Sequence, residues 1–143
     1  MLDKMKEFPN YIYELELKVR DYEVDAEGIV NNAVYLNYLE HTRHEFCEMA
    51  GLSFKKMHEE GLDPVVVRVN IRYLRSFVMG DTVVSKLALS RRGPVFVFHQ
   101  DLFRKSDGAH MAHATVESTS FENGRVSRGE RLAQAYAKYL PAE

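Results

Sequence analysis

Hydrophobic and polar residues alternate along several stretches of the chain, as they do in β-strands with one buried face. The first stretch is Tyr11–Arg20, whose apolar positions are Tyr11, Tyr13, Leu15, Leu17 and Val19. A period of two with one apolar side predicts a half-buried strand. Four more strands are predicted, over Val65–Tyr73, Asp81–Arg91, Val95–Arg104 and Ala109–Phe121. Val95–Arg104 is apolar on both sides, which favours a central strand.

Turn signals separate the later strands, at Arg92-Gly93-Pro94, Ser106-Asp107-Gly108 and Asn123-Gly124. Tight turns of this kind join antiparallel neighbours. The last long strand carries small residues on one face, at Ala112, Ala114 and Ser118.

Between the first strand and the others, apolar residues recur at helical spacing, at Tyr35, Leu39, Phe46 and Met49 or Ala50. The spacing predicts a long helix that begins at Asn31 or Asn32 and ends before Gly51. Asparagine is a good residue for the N-cap of such a helix. The segment before it, Asp21–Ile29, breaks the strand pattern and is predicted to be a loop.

Two shorter helices are predicted, one capped by Ser53 and running to Glu60, the other over Glu130–Tyr139. One long helix and one antiparallel sheet, each with an apolar face, bury those faces by packing together. The 143 residues suit a single domain, because one domain takes about 100–200 residues. The sequence therefore predicts a single α+β domain, over 1–143, whose sheet wraps a central helix.

Charge and composition narrow the function classes. The formal net charge is −2 with no block of like charge, so no nucleic-acid or membrane partner is expected. Residues 1–10 lack the apolar core of a signal peptide, and no stretch approaches the length of a membrane span. Cys47 is the one cysteine, which suits a reducing compartment. We expect a cytoplasmic protein.

The segment from Val19 to Glu40, VRDYEVDAEGIVNNAVYLNYLE, resembles the signature of the 4-hydroxybenzoyl-CoA thioesterase family. That signature is a strand, an Asp, a Gly three residues later, two apolar residues and then a helix with an early aromatic. The strand Ile71–Ser76 and the following Gly80-Asp81 resemble the family's second landmark. The likeness extends from Tyr11 to about Leu132.

The resemblance implies a hotdog fold, in which an antiparallel sheet of five to six strands wraps one long helix. It implies a hydrolase that cleaves the thioester of acyl-CoA to a free carboxylic acid and CoA. Members form homodimers or homotetramers with active sites between protomers, and they need no cofactor or metal. Competing interpretations are a non-catalytic acyl-CoA binding module, an acyl-ACP thioesterase and a hotdog hydratase or dehydratase.

Carried over by position, the resemblance puts the catalytic carboxylate at Asp25 and the carbonyl-polarising backbone N–H at Asn32. Asp25 would be a general base or a nucleophile; the alternative is a turn aspartate that bonds nearby backbone. A helix start suits the other role because it presents unpaired N–H groups and partial positive charge. The expected substrate contacts are Gly28, Val30, Asn31, Tyr35, Tyr73 and Arg75.

At a few positions this chain differs from other thioesterases with a similar motif. Some relatives have a histidine where this chain has Asn32, so a histidine-assisted reaction is not expected, and a hydratase would need such a histidine. Glu27 and Ile29 stand where plant acyl-ACP thioesterases have Asn and His. Glu40 is a rival catalytic carboxylate, because another branch of hotdog thioesterases uses a glutamate near this place on the helix; its alternative is a solvated helix residue.

For most other reactive side chains, the sequence favours a structural role over catalysis or metal binding. Ser118 lies in no Gly-x-Ser-x-Gly motif, so a serine-hydrolase triad is not expected, and Cys47 is expected to be buried packing. A strand points His110 and His113 to opposite faces, so no metal site is expected there. His41 and His44 lack the spacing of a metalloprotease motif. Four arginines are candidates for CoA phosphates, at Arg72, Arg75, Arg91 and Arg92.

Overall fold

The computed structural model describes residues 8–142. Its strands are β1 Tyr13–Lys18, β2 Leu62–Tyr73, β3 Thr82–Arg92, β4 Val95–Arg104, β5 His110–Glu122 and β6 Arg125–Val126. Its α-helices are α1 Asn32–Met49, α2 Phe54–Glu59 and α3 Glu130–Ala135, with 3-10 turns at Asp21–Glu23 and Ala137–Tyr139.

The six strands form one sheet in the order β1-β3-β4-β5-β2, with β6 beside the end of β5. Every pairing is antiparallel, and β4 is the central strand, as its two-sided apolar pattern predicts. The long helix α1 packs on one face of this sheet. These features confirm the predicted α+β architecture and the helix-in-sheet arrangement of a hotdog fold.

The helix packs closely because the sheet below it carries small residues. Ala112 and Ala114 of β5 are fully buried in the same cluster as Tyr35 and Leu39 of α1. Further along the helix, Phe46 is buried together with two residues of β4, Phe96 and Phe98. Removing a buried leucine side chain to alanine typically costs about 2–5 kcal/mol, so we expect Leu39→Ala to destabilise the fold by about that amount.

Several element boundaries differ from the predicted ones. Strand β2 begins at Leu62, before Pro64, because it is an edge strand, where proline is tolerated. The C-terminal helix is shorter, since α3 ends at Ala135 and only a 3-10 turn follows. The first strand begins at Tyr13, and Ile12 and Tyr13 both pack on the core. Tyr11 leaves the predicted apolar face: its hydroxyl donates to Asp101 Oδ2 at 2.6 Å.

The prediction that His110 and His113 point to opposite faces is wrong, and a β-bulge is the reason. Opposite β4, Leu102 pairs with Ala112 but Phe103 pairs with His110, so Met111 is an extra residue. One extra residue reverses the alternation of side chains on one side of the bulge. Both imidazoles therefore lie on the sheet face opposite α1, and each contacts Asp101.

Among residues 8–142, no helix combines the length and the apolar character that a membrane crossing requires.

Candidate active site

The start of α1 is built to leave backbone donors exposed. Asn31 is the N-cap, and its Oδ1 accepts from the Ala33 N–H at 2.9 Å, while its carbonyl accepts from the Val34 N–H at 2.9 Å. Among the hydrogen bonds of residues 8–142, none uses the Asn32 N–H as its donor. The side chains of Asn31 and Asn32 are exposed. A ligand oxygen that reaches the helix start therefore meets a free N–H and the positive end of the helix dipole.

The loop before the helix is closed by backbone pairing. An isolated bridge joins Val24 to Val30, and the Asp25 N–H donates to the Ile29 carbonyl at 2.9 Å. Gly28 has φ +83°, a conformation that residues with a Cβ seldom adopt. Val30, a predicted substrate contact, is instead buried in the core at 2% exposure.

The loop holds Asp25 at the surface. Its Oδ1 accepts from the Glu27 N–H at 2.9 Å, and the residue is exposed. This bond fixes one carboxylate oxygen, which is what a turn aspartate does. The same bond would also hold the carboxylate in place for a ligand bound at the helix start.

Three of the predicted substrate contacts meet beside the helix start. The Tyr73 hydroxyl donates to the Asn32 carbonyl at 3.0 Å, and the Tyr73 ring meets the Tyr35 ring edge-on at 5.1 Å. The Tyr35 hydroxyl accepts from the Phe77 N–H at 3.0 Å, and the Arg75 carbonyl lies 3.4 Å from it. Tyr35 is only 2% exposed, so it anchors the segment that carries Arg75. Burial raises the pKa of Tyr35, which keeps this hydroxyl protonated.

Glu23 is a site residue that sequence reasoning missed. It is 7% exposed, and its Oε1 accepts from the Tyr38 hydroxyl at 2.8 Å and from the Arg20 N–H at 2.8 Å. Its backbone carbonyl accepts from the Asn31 N–H at 3.0 Å. Burial, and then the bond to Glu23, raise the pKa of Tyr38. Glu23 thus ties the loop, the helix cap and the helix interior together.

A cavity of about 440 Å³ lies between α1 and the sheet, next to the edge strand β2. Its walls on the sheet side are mostly apolar, among them Val66, Val69, Phe98 and Val116. On the helix side the lining includes Leu36 and Glu40. Residues four apart lie on one face of a helix, so Asn32, Leu36 and Glu40 form a stripe from the helix start along the cavity.

Glu40, the alternative catalytic carboxylate, lines this cavity, whereas Asp25 does not. Glu40 follows Asn32 by eight residues, which is about 12 Å along the helix axis. It is exposed, and its Oε1 lies 3.6 Å from His44 Nε2. Arg43, which the sequence did not single out, also lines the cavity; its guanidinium donates to Gln100 Oε1 at 3.0 Å, and burial lowers its pKa.

The four candidate phosphate-binding arginines divide into two pairs. Arg91 donates to Glu130 at 3.0 Å and to two backbone carbonyls, and Arg92 pairs with Glu117. Arg72 and Arg75 are exposed and form no salt bridge within the part of the chain that the structure describes. The last two are the better placed for an anionic ligand.

Three other reactive residues lie on α1, at Cys47, His41 and His44. Cys47 is fully buried, as predicted, and burial raises the pKa of its thiol. His41 belongs to no cluster of metal-ligand side chains within residues 8–142, and neither does His44.

Comparison with known proteins finds similarity to thioesterases. The family model described as the thioesterase-like superfamily matches residues 19–129. The long-chain acyl-CoA thioesterase FadM of Escherichia coli is 33% identical over 105 residues, which are 72% of this chain and 78% of that protein. The chloroplastic acyl-acyl carrier protein thioesterase ATL3 of Arabidopsis thaliana is 42% identical over 78 residues, which are 54% of this chain and 41% of that protein. This chain therefore spans less than half the length of that relative.

A solved structure agrees with the fold. The Thermus thermophilus protein TT1821 superposes with a TM-score of 0.79 at 25% identity, covering 88% of this chain and 98% of that one.

Proposed function

The chain belongs to the thioesterase-like superfamily, and on that basis we propose that it is an enzyme that hydrolyses acyl-CoA to a free carboxylic acid and CoA. Within the superfamily we propose the 4-hydroxybenzoyl-CoA thioesterase type of site, with its carboxylate in the loop before the helix. The observation that carries the proposal is the free Asn32 N–H at the start of α1, beside the loop of Asp25.

The helix start would stabilise the reaction's negative charge. Attack on a thioester carbonyl puts charge on its oxygen, and a fixed donor aimed at that oxygen lowers the barrier because it needs no reorganisation. The loss of one such donor typically costs about 100-fold or more in rate. The Asn32 N–H is the proposed donor, and the positive end of the α1 dipole adds to it.

Asp25 would deliver the nucleophile. Its Oδ1 is held by the Glu27 N–H, which leaves Oδ2 to take a proton from water or to attack the carbonyl carbon directly. Neither route needs a metal or a redox group. In the first route the water oxygen joins the acyl carbon, and the proton taken by Asp25 passes to the departing CoA thiolate. In the second route Asp25 displaces the CoA thiolate to form an anhydride, which a water molecule then hydrolyses to the free acid and Asp25.

The acyl group would follow the stripe on α1 into the cavity. Leu36 lies one helical turn from Asn32 and is part of the cavity wall, so a thioester bound at the helix start has an apolar path beside it. A volume of about 440 Å³ falls in the usual range for small-molecule sites, roughly 300–1,000 Å³. Gly28, Asn31, Tyr73 and Arg75 remain proposed substrate contacts around the entrance.

Glu40 is the alternative catalytic carboxylate. It lines the cavity and lies beside His44, so it would orient water from the acyl side. If it were the main base, the thioester carbonyl would sit about two helical turns from the helix start.

A second candidate is hydrolysis of acyl groups carried by acyl carrier protein. It is favoured by the 42% identity to a chloroplastic acyl-acyl carrier protein thioesterase over 54% of this chain. The two substrates share the thioester and the phosphopantetheine arm, so the same site would serve both. A binding module without turnover is the third candidate, and Asp25 beside a free helix donor speaks against it.

The proposed assembly is a homodimer or homotetramer. Strand β2 is an edge strand, and its exposed residues include Val65, Val66, Val67 and Val69. An apolar strand edge of this kind invites pairing with another chain, and pairing here would close the adjacent cavity. The free, buried Cys47 supports a reducing compartment such as the cytoplasm.

The test is thiol release from a panel of acyl-CoAs and acyl-acyl carrier proteins, for wild type, Asp25→Asn and Glu40→Gln. We expect wild type to release thiol and Asp25→Asn to lose most of the rate while it stays folded. Loss in Glu40→Gln alone would move the site to the cavity. Binding without thiol release from any substrate would support the binding module instead.

A further inference from the structure

On the sheet face opposite α1, one carboxylate and two imidazoles converge from adjacent strands. His110 Nε2 and His113 Nδ1 each lie 2.8 Å from Asp101 Oδ1, and the three ligand-type atoms lie within 4.8 Å of one another. We propose that these three side chains form a binding site for a divalent transition-metal ion such as Zn²⁺. Ion binding at this site would be independent of thioester hydrolysis.

The carboxylate is held in place before any ion arrives. The side chain of Asp101 is 1% exposed, and the Tyr11 hydroxyl donates to its Oδ2 at 2.6 Å. This bond leaves Oδ1 turned toward the imidazoles. Partners that hold the second atom of a ligand in this way orient metal ligands and raise metal affinity.

The two imidazoles differ in a way that suits a site with an entrance. The His110 ring stacks on Phe103 at 5.0 Å and meets Phe8 edge-on at 5.2 Å, so neighbouring rings fix its plane. The His113 side chain is 43% exposed, and it forms the solvent side of the cluster. An ion can therefore enter past His113 and meet two ligands that are already positioned.

The donor set selects the kind of ion. Two imidazole nitrogens and one carboxylate oxygen are typical ligands of Zn²⁺ and its neighbours, whereas Ca²⁺ and Mg²⁺ prefer oxygen ligands. Bonds of about 2.0–2.2 Å at tetrahedral angles put neighbouring ligands roughly 3.3 Å apart. The two separations between Asp101 and the imidazoles, 2.8 Å each, need to open by only about half an ångström. Rotation of the partly exposed His113 side chain contributes to that movement.

The bulge is what brings these ligands together. Without the extra Met111, His110 would face α1 and the site would have two ligands.

The alternative role of the cluster is a hydrogen-bond network, in which both imidazoles donate to Asp101 and no metal binds. Metal titration separates these two roles directly.

The experiment is calorimetric titration of the chelator-treated full chain with Zn²⁺, supported by the absorption spectrum with Co²⁺. We expect one high-affinity ion per chain in wild type. His113→Gln and Asp101→Asn should each lower the affinity at least about 10-fold, and Tyr11→Phe about 10-fold through the lost orienting bond. The matched control is His58→Gln, which removes another imidazole bonded to an aspartate, Asp63 at 2.6 Å, and should leave the affinity unchanged.

His113→Gln is the decisive variant because its side chain is partly exposed, and circular dichroism checks that each variant is folded. Wild type without a stoichiometric Zn²⁺ site would overturn the proposal. So would unchanged affinity in folded His113→Gln, or loss of the site in His58→Gln.

Discussion

Replacing Asn31 by aspartate separates the stability of α1 from the chemistry proposed at its start. The Asn31 side chain accepts from the Ala33 N–H at 2.9 Å, and aspartate caps a helix as well as asparagine does. The added negative charge also favours the helix dipole by about 0.3–1 kcal/mol. The free energy of unfolding should therefore stay the same or rise slightly.

The same charge should slow the reaction. A carboxylate at the cap would lie next to the Asn32 N–H, where the thioester oxygen becomes negative. Two like charges about 4 Å apart repel by about 1 kcal/mol in water and about 4 kcal/mol at a protein surface of lower effective dielectric. Asn31 is exposed, so we expect about 1–2 kcal/mol, which is roughly a 5- to 30-fold lower kcat.

The assay is thiol release at saturating acyl-CoA, with chemical denaturation measured on the same preparations. Asn31→Ala is the matched control: it loses the cap, about 1 kcal/mol of stability, without adding charge, so its kcat should fall less. If Asn31→Asp kept the wild-type kcat while it remained folded and bound substrate, the oxyanion would not form at the start of α1.

Three further predictions follow from the buried groups and the cavity. Tyr38→Phe removes a hydrogen bond to a buried carboxylate and should lower the free energy of unfolding in urea by about 1.5–3 kcal/mol; the exposed Tyr22 gives the control variant Tyr22→Phe, and equal stability of the two would contradict the role of this bond. Leu36→Trp should fill the cavity and lower kcat/KM more for long acyl chains than for short ones; a uniform decrease would place the acyl group elsewhere. The Cys47 thiol, buried and with a raised pKa, should react slowly with a thiol reagent at pH 8 and completely after unfolding, whereas rapid labelling of the folded chain would contradict its burial.

Most elements of the fold can be predicted from the sequence because each depends on a local pattern of residues. The period-two strands, the Asn-capped helix and the glycine turns each depend on a few neighbouring residues, and the apolar residues on both faces of β4 predict its central position. The bulge at Met111 was not predictable in this way. It depends on the register of two strands, and a single extra residue reverses the faces of His110 and His113.

The candidate site was predictable only where it depends on a local motif. The positions of Asp25 and Asn32 came from a local motif, and the structure brings Tyr73 and Tyr35 to the same helix start. Glu23 gave no signal, because a glutamate in a loop is usually solvated, and its burial depends on a hydroxyl 15 residues away in α1. Long-range polar contacts of this kind leave no periodic trace in the sequence.

The most direct test of the account is the kcat of Asp25→Asn relative to a second loop aspartate variant, Asp21→Asn. Both aspartates are exposed, and each accepts one hydrogen bond at 2.9 Å from a nearby backbone N–H, so the two changes are matched as turn substitutions. With acyl-CoA as substrate, we predict that Asp25→Asn lowers kcat by about 100-fold or more with little change in the Kd for substrate, while Asp21→Asn stays close to wild type. Equal kcat values in the two variants would mean that Asp25 is a turn residue and that the chemistry lies elsewhere.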